Sequence, residues 1–117
     1  MLFNKSKKNK VLEKVKYATG TFGKFMGLMF EKKNNFDYAL VFDFGEEKRI
    51  SASIHMFFVF FRIDAVYLDK EKTVVDIARG LKPFMLNYTP KKKARFLIEI
   101  SPKRGKLINI GDKLDWD

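Results

Sequence analysis

Residues Ser53–Asp69 are the densest apolar stretch of this 117-residue chain, and they constrain its fold more than any other segment. The stretch reads SIHMFFVFFRIDAVYLD and holds four phenylalanines and the only histidine. Burying one large apolar side chain contributes roughly 1.5 to 3 kcal/mol, so the segment favours the interior. Successive strand residues point to opposite faces, and both faces are apolar up to Arg62. We therefore predict a central, covered strand with a bulge or corner at Arg62 to Asp64.

β-branched and aromatic residues dominate the chain from Tyr38 onward, and the breaks between them contain turn residues. The stretch from 11 to 18 is read as a strand, with a helix as the alternative. A short helix is predicted at Phe22–Phe30, where Gly23 and Gly27 would let another backbone approach closely. The remaining strands are predicted at Tyr38–Phe44, Arg49–Phe61, Asp64–Asp69, Thr73–Ala78 and Arg95–Ile100.

These elements predict a mainly β fold, a compact sandwich or barrel of five or more short strands with one or two short helices. A chain of 117 residues is the size of one domain, and no linker or repeat divides it. The first ten residues, MLFNKSKKNK, are rich in lysine and poor in apolar residues. We therefore expect a flexible basic segment over residues 1–10 and one globular domain over residues 11–117.

Composition and charge exclude several classes of protein. The chain has no cysteine, which excludes disulfides and thiolate chemistry and suggests a reducing, cytoplasmic location. Neither a signal peptide nor a membrane span is predicted, because charged residues interrupt every apolar run well before the roughly 18 residues that a span needs. The net charge is +10, with the excess at the two ends of the sequence. Such a field attracts polyanions.

Four segments taken together resemble the uncharacterised prokaryotic family called domain of unknown function 192. They are MGLMF (Met26 to Phe30), ALVFDF (Ala39 to Phe44), the central run, and NIGDKL (Asn109 to Leu114). The resemblance covers the chain from about residue 11 to the C-terminus and implies a mainly β fold close to a small sandwich. It implies no activity, because the family has no established biochemical role.

The central motif of bacterial family members reads approximately W-M-x-N-T-x-x-P-L-D. In this chain His55 stands at the position of the Trp, while Met56 and Asp64 match the family pattern. Phe58, Val59 and Arg62 replace the Asn, Thr and Pro. The resemblance therefore implies that any polar site formed by the Asn and Thr elsewhere is absent here. The more aromatic run resembles the archaeal branch.

Candidate ligand-binding residues lie where the apolar run ends, at His55, Met56, Arg62 and Asp64. Imidazole is a common acid–base group and metal ligand, but the chain offers His55 no second histidine and no cysteine, and Glu46 and Glu47 are the only carboxylates within ten residues on its N-terminal side. We therefore predict no metal and no cofactor. Arg62 and Asp64 are expected to pair with each other or with backbone groups, since an unpaired buried charge is costly. A charged rim around an aromatic pocket is the functional alternative.

The second candidate site is a cluster of basic residues between positions 90 and 106. If both runs flank one strand, they would meet on one surface and bind the phosphates of a polyanion such as RNA. A solvated face and adaptation to high temperature explain such lysines equally well. The residues are Lys91, Lys92, Lys93, Arg95, Lys103, Arg104 and Lys106.

No sequence pattern assigns a reaction to this chain. The nucleophile elbow, the glycine-rich phosphate loop and the metal-ligand cluster are all absent from the sequence. The leading interpretation is a non-enzymatic ligand-binding or protein-interaction module with an aromatic core. An RNA- or ribosome-associated basic protein is the alternative, and a small-molecule enzyme of unknown reaction is third.

Overall fold

Strands dominate the computed structural model, which describes residues 1–20, 23, 27–85 and 87–117. These residues contain eight strands, one short α-helix (α1, Pro102–Gly105) and two 3-10 turns, Lys33–Asn35 and Ile50–Ala52. The strands are β1 (Leu2–Asn4), β2 (Asn9–Leu12), β3 (Lys14–Tyr17), β4 (Tyr38–Lys48), β5 (Ile63–Leu68), β6 (Val74–Leu81), β7 (Ala94–Ile100) and β8 (Leu114–Trp116).

The strands form two sheets. The larger sheet has the order β3-β4-β7-β5-β6, and the smaller one has the order β2-β1-β8. All neighbouring strands are antiparallel except β3 and β4, which are parallel. The mainly β fold is confirmed, and the two sheets realise the sandwich rather than the barrel. β7 is the middle strand of the larger sheet, so its side chains reach both sides of the molecule.

Both faces of the larger sheet are buried, because its strands carry apolar residues at odd and even positions. In β4, Leu40 and Phe42 point to one face, while Ala39 and Val41 point to the other. β5 is buried at all six of its residues. One face packs against the smaller sheet through a cluster that includes residues of β1, β2 and β8. The other face is covered by the segment from residue 50, where the second 3-10 turn begins, to residue 61.

The N-terminal segment differs from the prediction of a flexible stretch over residues 1–10. β1 lies between β2 and β8, and both Leu2 and Asn4 are 0% exposed. The Asn4 side chain donates hydrogen bonds to Leu107 O (3.1 Å) and to Asp112 Oδ2 (2.8 Å). The predicted boundary at residue 10 falls inside β2. Only a few apolar residues are needed to anchor a strand when neighbouring strands satisfy its backbone.

The prediction of one long central strand is wrong for its first half. Residues 53 to 61 form an irregular segment, with a single isolated bridge between Ile54 and Tyr88. Met56, Val59 and Phe61 are buried, but Phe57, Phe58 and Phe60 are exposed, the last at 59%. The regular strand begins only at Ile63, close to the predicted corner. The second half of the apolar run is therefore a core strand, and the first half is an irregular segment that covers the sheet.

The other predicted strands correspond to observed ones, although their bounds differ by a few residues. The stretch from 11 to 18 forms the end of β2 and all of β3, which confirms the strand interpretation over the helical one. Four of the nine residues of the predicted helix Phe22–Phe30 lie outside the described residues; residues 27 to 30 form a turn. In the part of the chain that is described, no helix is long and apolar enough to cross a membrane.

Candidate functional site

The structure separates the four predicted ligand-binding residues into three environments. His55 lines a pocket on the face of the larger sheet that residues 50 to 61 cover. Met56 is 1% exposed and belongs to the core beneath that pocket. Arg62 and Asp64 line a different, open cleft beside α1. The predicted single site is therefore divided, because His55 and Met56 lie in the irregular segment that covers the sheet, whereas Asp64 lies in β5 and faces the cleft beside α1.

The pocket beside His55 has a volume of about 350 Å³. Strands β4, β5 and β7 of the larger sheet contribute part of its lining, and residues 27–28 and 51–59 contribute most of the rest. A volume of this size is typical of pockets that hold small organic molecules. The lining is mainly apolar, with polar groups at a few positions; it comprises Gly27, Leu28, Phe42, Phe44, Lys48, Ser51, Ser53, Ile54, His55, Val59, Ile63, Leu97 and Glu99.

Glu99 is the most unusual residue of the pocket. It is only 4% exposed, and its Oε1 has no hydrogen-bond partner among the described residues. Burial raises the pKa of the Glu99 carboxyl from 4.5 to about 8, because desolvation penalises the ionised form. At neutral pH the side chain therefore carries a proton. A neutral carboxyl can both donate and accept a hydrogen bond.

β7 places Glu99 at the pocket and explains its burial. In the strand ARFLIEI, Leu97 and Glu99 share the face that lines the pocket, while Phe96, Ile98 and Ile100 share the other. Glu99 pairs with Leu40 of β4 and Ala65 of β5, so it lies in the middle of the sheet. Gly27 approaches closely, since an added Cβ there would lie 3.4 Å from Glu99 Oε1. The contact is with a side chain, whereas the prediction was that Gly27 lets another backbone approach closely.

Sequence reasoning missed Glu99 as a site residue, although a signal was present. Glu99 was counted only as the single acid among the basic residues between 90 and 106. Its position inside a strand with apolar neighbours on both sides predicts burial, and buried glutamates without partners are rare. A lone acid on an inward position of a central strand is therefore a better site signal than the histidine in the apolar run.

The polar rim of the pocket comes from the end of β4 and the turn that follows. The Ser53 hydroxyl donates a hydrogen bond to Ile50 O at 2.6 Å. Its Oγ also shares a hydrogen bond with Thr89 Oγ1 at 2.7 Å. His55 Nδ1 accepts a hydrogen bond from the Phe57 amide at 3.1 Å. Lys48, Ser51 and these two side chains give the mouth of the pocket its hydrogen-bonding groups.

Asp64 is held by backbone and by arginine in the second cleft, as the sequence predicted in outline. Its Oδ1 accepts a hydrogen bond from the Gly80 amide at 2.8 Å, and its Oδ2 lies 3.4 Å from Arg79 Nη1. Arg79 also donates to Gly105 O and Ile108 O. Arg62 donates to Gly80 O at 3.3 Å, and the ion pair of Asp64 is with Arg79 instead. These contacts tie β5 and β6 to α1.

The basic residues of the second candidate site lie at opposite ends of β7. Lys91 to Lys93 precede the strand and Lys103 to Lys106 follow it, so the strand of seven residues separates them by roughly 20 Å. Arg95 forms an ion pair with Asp43, with Nε to Oδ1 at 2.8 Å. The expectation that the two runs meet because they flank one strand is therefore wrong. Binding of a polyanion by either run stays a prediction.

An exposed aromatic cluster lies on the segment that covers the pocket. The rings of Phe30 and Phe58 are stacked with centroids 4.9 Å apart, and Phe84 contacts Phe58 and Phe60 edge to face. Phe30, Phe58 and Phe84 all have positive φ angles, between 55° and 64°. Such angles are strained for residues with a Cβ and persist only where tertiary contacts impose them.

Fold and pocket together define a small two-sheet β protein with an acid-bearing pocket on one face of the larger sheet. The family model described as Uncharacterized ACR, domain of unknown function 192, matches residues 2–116. The chain therefore belongs to this family, as the resemblance implied. A protein of the same uncharacterised kind, named UPF0127 protein, from Thermococcus sibiricus is 41% identical over 119 residues, which is 100% of this chain and 75% of the relative. The archaeal-type resemblance is thereby confirmed.

Two solved structures share the fold. One is a protein of unknown function from Novosphingobium aromaticivorans, with a TM-score of 0.78 and 19% identity over 87% of this chain and 74% of the other. The second is described as a candidate transcription regulator from Sinorhizobium meliloti, with a TM-score of 0.77 and 20% identity over 86% of this chain and 79% of the other. At these identities the likeness concerns the fold alone.

Proposed function

We propose that this protein is a non-enzymatic binding module for a small, mainly apolar molecule that occupies the Glu99 pocket. One observation carries the proposal: Glu99 Oε1 is buried at the pocket without a hydrogen-bond partner among the described residues. Leaving a buried acceptor unsatisfied costs about 1 to 3 kcal/mol. A ligand that donates to this oxygen recovers that free energy, and the empty protein does not.

The lining of the pocket supports a ligand with an apolar body. Phe42, Leu97 and Ile63 offer apolar surface from three adjacent strands, and Leu28 and Val59 close the pocket from above. Burial of apolar ligand surface contributes about 25 cal/mol per Å². Because only Glu99 lies among these side chains as a polar group, it sets the orientation of the ligand.

The polar groups at the pocket mouth support binding more than catalysis. The Ser53 hydroxyl is held by Ile50 O and Thr89 Oγ1, so structural contacts fix it rather than a general base. His55 Nδ1 is occupied by the Phe57 amide. We therefore assign these residues to the shape of the pocket mouth and name no catalytic residue.

The proposal predicts that blocking the mouth abolishes ligand binding. Ser51 is exposed at the mouth, so Ser51→Trp is expected to fill the entrance without disturbing the core. A library of small apolar fragments is titrated into both proteins and followed by amide chemical shifts in two-dimensional NMR. Fragments that shift pocket residues of the wild type should bind the variant at least tenfold more weakly.

Ile50→Trp is the matched control for this test. Ile50 is 74% exposed on the same 3-10 turn but does not line the pocket, so this variant should bind the fragments like the wild type. Equal affinities in the wild type and in Ser51→Trp would contradict the proposed pocket. Complete absence of fragment binding to the wild type would contradict the function itself.

Binding of RNA is the second candidate function, favoured by the net charge of +10 and by the exposure of the lysines before β7. We expect the variant with Lys91, Lys92 and Lys93 all changed to Ala to bind single-stranded RNA about tenfold more weakly. Affinity should also fall linearly with log salt. Filter binding at several salt concentrations measures both effects, and absence of binding at low salt would eliminate this candidate.

A further inference from the structure

We infer that the ligand of the Glu99 pocket is an organic ammonium ion with an apolar or aromatic body, whose ammonium group forms an ion pair with the Glu99 carboxylate. The inference rests on the proposed function and names the chemical class of the ligand. It comes from three features of the pocket: a buried carboxyl without a counterion among the described residues, aromatic rings beside it, and a lysine at the far end.

The first feature is the missing counterion. Every other buried carboxylate of the described residues has polar partners: Asp64 has Arg79 and the Gly80 amide, Asp76 has the Tyr88 hydroxyl and the Lys91 amide, and Asp112 has Asn4 and Lys7. Glu99 forms no ion pair with any described residue, and its Oε1 faces no donor among them. The ionised form of this carboxyl is therefore neutralised by no cation among the described residues.

The second feature is the aromatic lining. Phe42 and Phe44 lie on the same face of β4 as the pocket, and Leu40 of that strand pairs with Glu99. The face of an aromatic ring attracts a cation, and the attraction grows when water is excluded. An ammonium group at Glu99 therefore gains from the rings as well as from the carboxylate, whereas an anion gains from neither.

The third feature is the position of Lys48. In the register of β4 and β7, Leu40 is opposite Glu99 and Lys48 is opposite Ala94. Ala94 and Glu99 are five residues apart along β7, so the backbone at Lys48 lies roughly 17 Å from the backbone at Glu99. A ligand with its ammonium at Glu99 therefore directs its other end toward a protein cation. This arrangement selects a single positive charge and rejects diamines of matching length.

Proton balance adds a measurable consequence. Burial keeps Glu99 protonated at pH 7 in the absence of a counterion. An ammonium ion favours the ionised carboxylate, so binding transfers the Glu99 proton to the buffer while the ligand keeps its own charge. Binding of a neutral ligand leaves the proton on Glu99. Calorimetry in two buffers with different ionisation enthalpies counts the protons released.

The test uses three probes of matched shape: 2-phenylethylamine, 2-phenylethanol and 3-phenylpropanoate. Each is titrated calorimetrically into the wild type, into Glu99→Gln and into Glu46→Gln, which makes the same chemical change at an exposed residue. We expect the amine to bind the wild type and Glu46→Gln at least tenfold more tightly than the alcohol, with release of close to one proton at pH 7. Glu99→Gln should lose this preference and bind the alcohol as before.

Tighter binding of the alcohol or the carboxylate than of the amine would overturn the inference and leave the pocket as a site for neutral or anionic ligands. Binding of library fragments without binding of the amine would overturn it in the same way. An amine preference that persists in Glu99→Gln would also overturn it, because another group would then hold the ammonium. The proton count in the wild type decides the question even if Glu99→Gln fails to fold.

Discussion

Replacing Glu99 with Gln is expected to remove a pH-dependent loss of stability on the order of 5 kcal/mol. In the folded protein burial raises the pKa of Glu99 to about 8, whereas in the unfolded chain the carboxyl titrates near 4.5. Between these two values the folded state holds a proton that the unfolded state has released. Stability contributed by this group is therefore full below pH 4.5, falls as the pH rises, and levels off above pH 8. A difference of one in pKa corresponds to about 1.4 kcal/mol.

Urea unfolding at half-unit steps from pH 4.5 to pH 9 measures this effect. The free energy of unfolding of the wild type should fall relative to that of Glu99→Gln across this range, so the variant becomes the more stable protein at the alkaline end. Glu46→Gln should follow the wild type, because Glu46 is exposed. Parallel curves for the wild type and Glu99→Gln would show that the carboxyl is solvated or paired in solution.

Gly105→Ala is expected to destabilise the protein by about 3 kcal/mol or more, although alanine is the better helix former by about 1 kcal/mol. An added Cβ at this last residue of α1 would overlap Asp64 Oδ2 and lie 2.8 Å from its Cγ and 2.9 Å from its Cβ. Asp64 has no free space, since it is 2% exposed and held by the Gly80 amide. The helix or the carboxylate must therefore move.

A double-mutant cycle with Asp64→Ala separates this clash from helix propensity. The combined variant should lose less stability than the sum of the two single variants, because removal of the carboxylate relieves most of the overlap. Gly23→Ala is the control, since an added Cβ there meets nothing within 4 Å among the described residues. Thermal or urea unfolding measures the wild type and the four variants. Additive losses, or a neutral Gly105→Ala, would contradict the close packing of α1 against β5.

Local pattern was sufficient to predict most strands of the larger sheet. Tyr38–Phe44, Asp64–Asp69, Thr73–Ala78 and Arg95–Ile100 each combine β-branched or aromatic residues with turn residues at their ends, and each corresponds to an observed strand. The number and length of these segments also predicted a sandwich or a barrel, and the structure has the two sheets of a sandwich. These properties depend on the segment itself, which a single sequence reports well.

Properties that depend on the rest of the chain were harder to predict. The run before Ile63 has a strand-like composition, but it crosses the face of the sheet as an irregular cover, and Phe58 adopts a positive φ angle. Leu2 is buried only because β2 and β8 flank its strand. The role of Glu99 likewise depends on Leu40 and Ala65, which are distant in sequence. Burial and pairing at such distances leave no local pattern.

The candidate site shows the same division. His55 was named because histidine titrates near neutral pH, and it does line the pocket. Asp64 and Arg62 were named as a charged corner, and they belong to the cleft that fixes α1. The carboxyl that distinguishes the pocket was overlooked because its neighbours in sequence suggested a basic surface. Its meaning became clear only from its position on the middle strand.

The central claim is that Glu99 is the polar group that a bound ligand contacts. Carbon-detected NMR of the glutamate side-chain carboxyls, with the Glu99 signal assigned by comparison with Glu99→Gln, tests this claim most directly. Titration with a fragment that binds the wild type but not Ser51→Trp should shift the Glu99 carboxyl signal more than that of any other glutamate and change its pKa. A saturating fragment that leaves the Glu99 signal and its pKa unchanged would contradict the account.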